Sequence, residues 1–554
     1  MKFLRIFFLS CFLLLTLIVQ GKQQEKPNII FILADDLGFM DVNYFANKLT
    51  ETETDSMFYE TPNIDALAKQ GVSFSQAYAN QLCSPTRASI LTGKYASRLG
   101  FTTATPNTKT YYSAALDVPE GFHPLDAVNH HDKLQVESPF LNATCMTGIP
   151  AGTKLDAGKD EITIAEALEG YNSAFIGKWH VGGHGAKGYT PSDQGFQELS
   201  WLDAGGSPYY NWRKKWNRDS VFFKTMPQDK LYMSAIKNDN EQKYLTDELT
   251  KQAVNYITEQ KNANKPFFLY FCHFAVHSPW QGHKDYNNHF KNKTTLGWNG
   301  HNHIQYASMI KALDNSVGTI MQSLKDNEIA ENTIIIFMSD NGGLVQIKDF
   351  IITKNTPLKG GKANVTEGGV RVPLIISDPR KQNTKKWCNT MVNCTDIFPT
   401  IIELAGQNTA NLPEIDGISA APLLQGNKKT IKKFENKAIY WHYPFNVKVV
   451  NPDDGYPLTP HSAMRKGDYK IIVDWAGNIG LYNIAKDISE ENNLSESNPE
   501  LRDKMYKELV SWLGENVETR YFPRINTDYN VENDPRIYKY KELTRTTIKE
   551  LISK

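Results

Sequence analysis

Unbroken apolar runs recur along the first two thirds of the chain, and each ends in polar or acidic residues. Runs that are apolar at every position are typical of strands buried on both faces of a sheet, whereas half-exposed strands alternate. Segments with helical periodicity separate these runs, so we expect an α/β sandwich in which helices cover a central sheet. The expected strands are Ile29–Leu33 and the runs that end near Ile176, Cys272, Met338 and Ile376, and the expected helices are Thr61–Gln70, Ile162–Leu168, Thr246–Thr258 and Ile304–Leu324.

The pattern changes after about residue 425, where shorter segments replace the long apolar runs. They predict a short antiparallel sheet with an amphipathic helix packed on it. The tail past residue 520 is polar and is expected to wrap around this part or to extend from it. We therefore predict one large domain over residues 22–425 and a C-terminal α+β subdomain with its tail over residues 426–554. The expected C-terminal elements are strands at Ala438–Trp441, Tyr469–Asp474 and Asn478–Tyr482 and a helix at Leu501–Leu513.

The first residues have the charge and hydropathy pattern of a secretory signal peptide. Lys2 and Arg5 precede an apolar stretch over Ile6–Val19, which then turns polar. We expect a cleaved signal peptide over residues 1–21 and a periplasmic or secreted protein. The apolar stretch is shorter than the ~20 residues that span a bilayer, and no later segment is longer, so no integral membrane segment is expected. A lipid-attached Cys11 is the alternative.

Charge and cysteine content narrow the chemistry. Lys plus Arg and Asp plus Glu both total 61 in the 554 residues, so no net field favours nucleic acid or a membrane surface. Any anion recognition must therefore be local. Removal of the signal peptide leaves five cysteines, an odd number in an exported protein. Cys388 and Cys394 are close enough in sequence for a local disulfide, and burial as small apolar side chains is an equal alternative.

Acidic and amide side chains follow two of the expected strands. Asp35 and Asp36 come after the first strand, and Asp340 and Asn341 come after the run that ends near Met338. In open α/β sheets the working groups gather at the carboxyl ends of the strands. Four oxygen donors suit a hard divalent cation, and irregular oxygen coordination favours calcium over magnesium. A lone pair of acids is usually a capping feature, but a second pair after another strand weakens that interpretation.

Cys83 lies in the segment LCSPTRASILTG, which has the signals of a short helix. Pro85 suits the first helical turn and Gly93 suits the helix end. Cys83 is thus expected at a helix N-terminus, where free N–H groups and the helix dipole favour an anion. Arg87 follows on roughly the same face, where it could fix an oxyanion. These residues alone leave open a buried structural cysteine before an ordinary helix.

The segment CSPTRASILTG resembles the signature of type I, formylglycine-dependent sulfatases of the alkaline phosphatase-like superfamily. The match continues in family order through ADD, TPNIDALAKQGVSFSQAYA, GKWH, HSP, SDNGG and GGKANVTEGGVRVP, and then through GDYKII and LYNIAKDISEENNL. It covers nearly all of the mature chain, and no core motif position is lost. The resemblance implies an alkaline phosphatase-like sandwich with a large central mixed sheet, followed by a small C-terminal domain.

The resemblance also implies a role for each motif residue. A maturation enzyme would oxidise Cys83 to formylglycine, whose hydrate is the nucleophile and whose second hydroxyl lets the sulfate leave by elimination. Lys178 and Lys362 would bind the sulfate oxygens, where fixed cations stabilise the charge of the transition state. His180 would be the base, and His277 would contact or protonate the leaving oxygen. The catalytic set is then Cys83, Arg87, Lys178, His180, His277 and Lys362, and one calcium ion would bind Asp35, Asp36, Asp340, Asn341 and modified Cys83.

Substrate contacts are expected in loops, above all in the long Thr102–Lys159 excursion and in Val447–His461, which have no readable code. Aromatic and histidine side chains suit a sugar ring, although a structural role is at least as good an interpretation of each. The candidates are His123, His130, His131, His184, His273, Trp280, His442 and His461.

The expected activity is hydrolysis of sulfate esters on a sulfated oligo- or polysaccharide, with small aryl sulfates as the alternative. A phosphatase or phosphodiesterase of the same superfamily is a rival, but the chain lacks the spare histidine and aspartate motifs for a second metal ion. A formylglycine-dependent phosphonate monoester hydrolase is a closer alternative. A binding protein with an inactive sulfatase fold would be expected to have lost some of the motif residues.

Overall fold

The protein is described by a computed structural model. It covers residues 26–104, 111–112, 123–124, 128–129, 138–146, 148–149, 161–182, 189–212, 243–263, 265–294, 296–347, 350–381, 386–410, 412–530, 534, 536 and 538–553. The predicted signal peptide and most of the 102–159 excursion lie outside these residues. No helix within them combines the length and the apolar character needed to cross a bilayer.

An eight-stranded mixed sheet forms the centre of the molecule. Most residues of its central strands are buried, which explains the long apolar runs in their sequences. All five apolar runs of the sequence are strands of this sheet, and the predicted α/β fold with a central mixed sheet is confirmed. The first five of its eight strands are parallel, and Leu374–Ser377 runs antiparallel to both of its neighbours. In spatial order the strands are Gln197–Leu202, Asn172–Lys178, Phe267–Cys272, Asn28–Ala34, Thr333–Ser339, Leu374–Ser377, Val72–Phe74 and Trp387–Cys388.

Helices surround this sheet and bury their apolar stripes in its core. The pair Leu245–Gln260 and Ile304–Asp326 pack against each other. The four predicted helices are present, with bounds shifted by at most two residues. The helices of this part are Asn43–Thr50, Pro62–Gln70, Cys83–Thr92, Ile164–Ala167, Leu245–Gln260, Lys284–Asn292, Ile304–Asp326, Glu367–Val370, Ile397–Leu404 and Lys428–Glu435.

The C-terminal part has a four-stranded antiparallel sheet with a core of its own. The sequence predicts three of these strands and misses His461–Lys466, which buries the polar side chains of His461, Ser462 and Arg465. The polar tail is also more ordered than expected, because it ends in a helix that buries Ile548 and Leu551 in this core. A domain boundary near residue 425 stays a prediction. The elements are Ala438–Tyr443, His461–Lys466, Tyr469–Asp474, Asn478–Asn483 and the helices Pro499–Asn516 and Lys541–Ile552.

Short strand pairs connect these parts, and two of them form β-hairpins that matter below. The pairs are Ala77–Tyr78 with Val392–Asn393, Tyr111–Tyr112 with His123–Pro124, Val128–Asn129 with Thr144–Cys145, Phe140–Leu141 with Arg524–Ile525, Gln346–Ile347 with Phe350–Ile351, and Val447–Val450 with Pro457–Leu458. The cysteines Cys83, Cys145, Cys272, Cys388 and Cys394 are all free and buried. Of the two alternatives for Cys388 and Cys394, the structure therefore has the buried thiols and not the disulfide.

Candidate active site

The two pairs of polar residues meet at one edge of the central sheet. Their strands are parallel neighbours in which Ala34 pairs with Ser339, so Asp35–Asp36 and Asp340–Asn341 leave the sheet side by side. The Asp36 backbone N–H donates to Asp340 Oδ1 over 3.2 Å, and Asn341 Nδ2 donates to Asp36 Oδ1 over 2.8 Å. Asp36 takes a left-handed backbone conformation with φ 60°, which costs on the order of 1 kcal/mol and turns its carboxylate toward Asn341.

Two buried cations bind these acids from the neighbouring elements. Lys178, the last residue of the strand Asn172–Lys178, donates to Asp35 Oδ2 over 2.7 Å. Arg87 donates to Asp340 Oδ2 from Nε over 3.1 Å and from Nη2 over 2.7 Å, and its Nη1 holds the Lys178 carbonyl over 2.6 Å. Arg87 thus fixes Asp340 and the end of the lysine strand. Its predicted contact with an oxyanion stays a prediction.

Cys83 begins its helix, as the sequence predicts, and the helix ends at Gly93 in the left-handed conformation. The Cys83 Sγ lies 3.3 Å from Nδ1 of His180, which follows the lysine strand by two residues. Burial raises the pKa of the Cys83 thiol, although Lys178 and Lys362 oppose the shift. The thiol is therefore protonated near neutral pH, which makes an unmodified Cys83 a poor nucleophile.

Lys362 and His277 lie on the other side of Asp36. Lys362 Nζ is 2.7 Å from Asp36 Oδ1, and His277 Nε2 is 3.7 Å from Asp36 Oδ2. Burial, followed by the charge of Lys362, lowers the pKa of His277 to about 3. His277 Nδ1 lies 2.8 Å from the Ser278 carbonyl, to which only a protonated Nδ1 can donate, so the neutral ring keeps its lone pair on Nε2. His277 remains 19% exposed and Lys362 13%, so these two side chains face the outside of the site.

Unpaired oxygens mark the point between the acids and Cys83. Among the described residues, Asp35 Oδ1 and Asn341 Oδ1 are buried and have no hydrogen-bond partner. Asp35, Cys83 and Asp340 each offer a ligand atom, and these atoms lie within 4.8 Å of one another. Buried carboxylate and amide oxygens without donors are costly unless a cation binds them. The donor set is oxygen-rich and fits a hard divalent cation such as calcium.

Comparison with known proteins agrees with this geometry. The family model described as "Sulfatase" matches residues 27–407, and "N-sulphoglucosamine sulphohydrolase, C-terminal" matches residues 361–518. The chain belongs to the sulfatase family. The predicted resemblance is thereby confirmed, and the protein is a sulfuric ester hydrolase.

Three relatives illustrate the family. A "Sulfatase" of Formosa agariphila is 31% identical in an alignment 539 positions long, which covers 89% of this chain and 89% of the relative. The N-acetylgalactosamine-6-sulfatase of Canis lupus familiaris is 28% identical over 73% of this chain and 67% of its own length. The solved structure of Ps i-CgsB in complex with k-i-k-neocarrahexaose is 27% identical, with a TM-score of 0.66, over 91% of this chain and 96% of the other.

A cleft of about 1,140 Å³ leads from the sulfatase site to the surface. His277, Lys362 and Leu82 form its inner end, and Tyr443 contributes from the C-terminal sheet. Residues of both the central and the C-terminal parts line this cleft, and Lys362 and His277 connect it to Asp36. Within the described residues, the cluster around Asp35 is the one group of potential metal ligands, so a second metal centre of the phosphatase type is not found there.

Of the other candidate substrate residues, those whose side chains the structure describes do not line this cleft. The ring of Trp280 lies 6.1 Å from that of His303. His273 is buried beside Ser316, and His442 is held by Ser462 and the Tyr521 carbonyl, so both have structural contacts. His461 lines a separate cavity of about 430 Å³ in the C-terminal part. The side chains of His123, His130, His131 and His184 lie outside the described residues.

Sequence reasoning missed two residues that support the sulfatase site. Tyr209 Oη lies 2.5 Å from the Phe274 carbonyl oxygen and 2.9 Å from the His277 carbonyl oxygen, and its one hydroxyl hydrogen, donated to either, ties Tyr209 to the backbone that carries His277. Glu367 lies inside the GGKANVTEGGVRVP motif and accepts from Tyr78 Oη over 2.7 Å. The motif itself is the only signal for Glu367, and no sequence signal links Tyr209 to His277.

Proposed function

We propose that this sulfatase is an exported enzyme that removes sulfate esters from a sulfated oligo- or polysaccharide, with formylglycine at position 83 and one calcium ion. The observation that carries the proposal is the large cleft that ends at Lys362 and His277, beside Cys83. The names of two relatives point to the same substrate class, since one is a hexosamine sulfatase and another was solved with a carrageenan hexasaccharide. The signal-peptide pattern supports export.

Different residues of the chain have different roles in the proposed reaction. When present, a formylglycine hydrate supplies one hydroxyl that attacks sulfur and a second through which the sulfate is expelled. His180, which is 3.3 Å from Cys83 Sγ, is placed to accept the proton of that second hydroxyl. Lys178 and Lys362 already lie against the acids and would bind the sulfate oxygens. His277, which is neutral with a lone pair on Nε2, would pass the proton that the attacking hydroxyl loses to the leaving oxygen as the sulfur–oxygen bond of the ester breaks. Arg87 holds Asp340 in place and takes no proton.

The calcium ion would be held by Asp35, Asp36, Asp340 and Asn341, together with the modified side chain of residue 83. Its contribution when bound is to polarise the sulfate ester and to lower the pKa of a coordinated hydroxyl. The unpaired oxygens of Asp35 and Asn341 support this assignment. A separate maturation enzyme would be needed to oxidise Cys83.

The substrate class is tested by sulfate release from a panel of glycans. Purified enzyme, made alongside a maturation enzyme, is incubated with oligosaccharides of carrageenan, chondroitin sulfate, heparin and fucoidan and with 4-nitrophenyl sulfate. We expect sulfate release from at least one glycan, measured by ion chromatography, with a higher kcat/KM than for the aryl sulfate. Rapid cleavage of the aryl sulfate with no release from any glycan would contradict the proposal.

Removal of calcium tests the metal assignment. Dialysis against a chelator is expected to abolish sulfate release and to lower the melting temperature, because Asp35 and Asn341 then bury oxygens with neither metal nor donor. Calcium should restore both properties, and magnesium should restore them less well because it demands a stricter octahedral geometry. The variant Asn341→Leu serves as a control and should weaken the calcium-induced rise in melting temperature. Full activity after verified metal removal would overturn the assignment.

A further inference from the structure

Two β-hairpins form the walls of the cleft outside the site. One consists of the strands Gln346–Ile347 and Phe350–Ile351, and the other of the strands Val447–Val450 and Pro457–Leu458. The volume of about 1,140 Å³ exceeds the range of about 300–1,000 Å³ that is typical of pockets for drug-sized ligands. A cleft of this size has room for more than one sugar ring bonded to the one that carries the reacting sulfate.

Exposed apolar side chains concentrate on these two hairpins. Within the described residues, five of the eight exposed large apolar side chains lie on them. The ring of Phe350, which is 57% exposed, lies 5.1 Å from the ring of His303, and the His303 ring lies 6.1 Å from that of Trp280. Exposed apolar patches that border a cleft mark interaction sites, and aromatic faces suit the apolar faces of sugar rings. The five side chains are Ile347, Phe350, Ile351, Val450 and Tyr456.

All charged side chains in the described lining of the cleft are positive. Its described lining contains three lysines, Lys354, Lys362 and Lys448, and neither aspartate nor glutamate. Lys362 pairs with Asp36, whereas Lys354 and Lys448 form no ion pair with any described carboxylate. Lys354 follows one hairpin and Lys448 lies on the other, so different elements contribute the two lysines to the lining of the cleft. Cations beside apolar walls attract anions more strongly than fully solvated ones do.

We propose that the cleft binds an extended saccharide chain that carries at least one anionic group besides the reacting sulfate, and that Lys354 and Lys448 bind this second group. The inference rests on the proposed function and adds to it a requirement for chain length and for a second charge. Lys354 and Lys448 are specificity residues in this proposal and take no part in the reaction. The apolar hairpins would hold the sugar rings between the two charges.

The test compares three substrates in four proteins. The substrates are the sulfated hexasaccharide that the enzyme cleaves best, its singly sulfated disaccharide, and 4-nitrophenyl sulfate. The proteins are the wild type, Lys354→Gln, Lys448→Gln and the control Lys466→Gln, whose lysine pairs with Glu508 away from the cleft. Each cleft variant should raise KM for the hexasaccharide about three- to tenfold and leave kcat for it within about twofold of wild type. For 4-nitrophenyl sulfate, both KM and kcat should stay within about twofold of wild type. Lys466→Gln should change nothing.

The salt dependence of KM is a second measurement, and it would not change if the two lysines had only a structural role. Added sodium chloride should raise the wild-type KM for the hexasaccharide more than that of the double variant Lys354→Gln/Lys448→Gln, since the double variant has lost the screened charges. Unchanged KM in the variants of an enzyme that cleaves the hexasaccharide would overturn this inference and leave the proposed function standing. Cleavage of 4-nitrophenyl sulfate alone, with no glycan cleaved, would overturn both.

Discussion

Replacement of Cys83 by alanine is expected to reduce sulfate release by at least about 10⁴-fold without unfolding the protein. The side chain touches His180 and the acids, and it fills the start of a helix that does not depend on it for capping. Alanine also suits a helix, so the loss should appear in kcat while circular dichroism and the melting temperature change little. Cys388→Ala is the matched control, because it removes another buried thiol far from the site and should retain activity.

The variant Cys83→Ser separates the formylglycine mechanism from an ordinary nucleophile. Serine has one hydroxyl, so it can accept the sulfuryl group but has no second hydroxyl through which to expel it. We expect a stable sulfated serine, visible by mass spectrometry of the peptide that contains residue 83. In the wild type made alongside a maturation enzyme, the same peptide should carry the aldehyde or its hydrate. An unmodified thiol in fully active wild-type protein would refute this mechanism.

The central sheet could be predicted from sequence because burial on both faces leaves a clear mark. The strand Thr333–Ser339, for example, is apolar from Ile334 to Met338, and its end locates the polar residues that follow. Segments that bury polar side chains have no such unbroken apolar run in their sequence. The strand His461–Lys466 buries His461, Ser462 and Arg465, and the helix Lys541–Ile552 buries threonines along with its few apolar residues. Both therefore read as polar loop or tail.

The candidate site was predictable in its members but not in its contacts. The motifs place Asp35, Asp340 and Cys83 at strand and helix ends, and the parallel pairing of two strands brings the acids together. The partner of Arg87 could not be predicted, because it lies 253 residues away and only the folded sheet brings it near. For the same reason, the cleft is visible only once the two hairpins are placed in space.

A buried network of charges joins the C-terminal sheet to the loop that carries Lys362. Lys470 Nζ lies 3.0 Å from Glu367 Oε1 and 3.0 Å from Glu490 Oε1, and all three side chains are fully buried. Glu490 Oε2 also accepts from the Glu367 backbone N–H over 2.7 Å, at the start of the short helix Glu367–Val370. That helix packs on the chain beyond Asn341, since Gly342 donates to the Gly369 carbonyl over 2.8 Å. The network thus supports the backbone of the site.

The variant Lys470→Met is expected to lower the free energy of unfolding by about 3–5 kcal/mol, the range for a buried ion pair that loses one partner. Methionine keeps the apolar stem but leaves two carboxylates with less compensation. Urea unfolding followed by tryptophan fluorescence measures the change. Lys466→Met is the control, because its partly exposed pair with Glu508 should contribute less than about 1 kcal/mol. A similar, small loss in both variants would show that the network does not stabilise the fold.

The pH dependence of this loss follows from Glu490. Burial raises the pKa of Glu490 from its ordinary value of 4.5 to about 7, although Lys470 opposes the shift. Because this pKa is raised on folding, the stability that protonated Glu490 contributes is fully present below about pH 4.5 and is lost as the pH rises through about 7. Without Lys470 the raised pKa has less opposition, so Lys470→Met should be more destabilised at pH 8 than at pH 5. The double variant Lys470→Met/Glu490→Gln lacks the titrating group, so its destabilisation relative to the single variant Glu490→Gln should vary less with pH over this range than that of Lys470→Met relative to wild type.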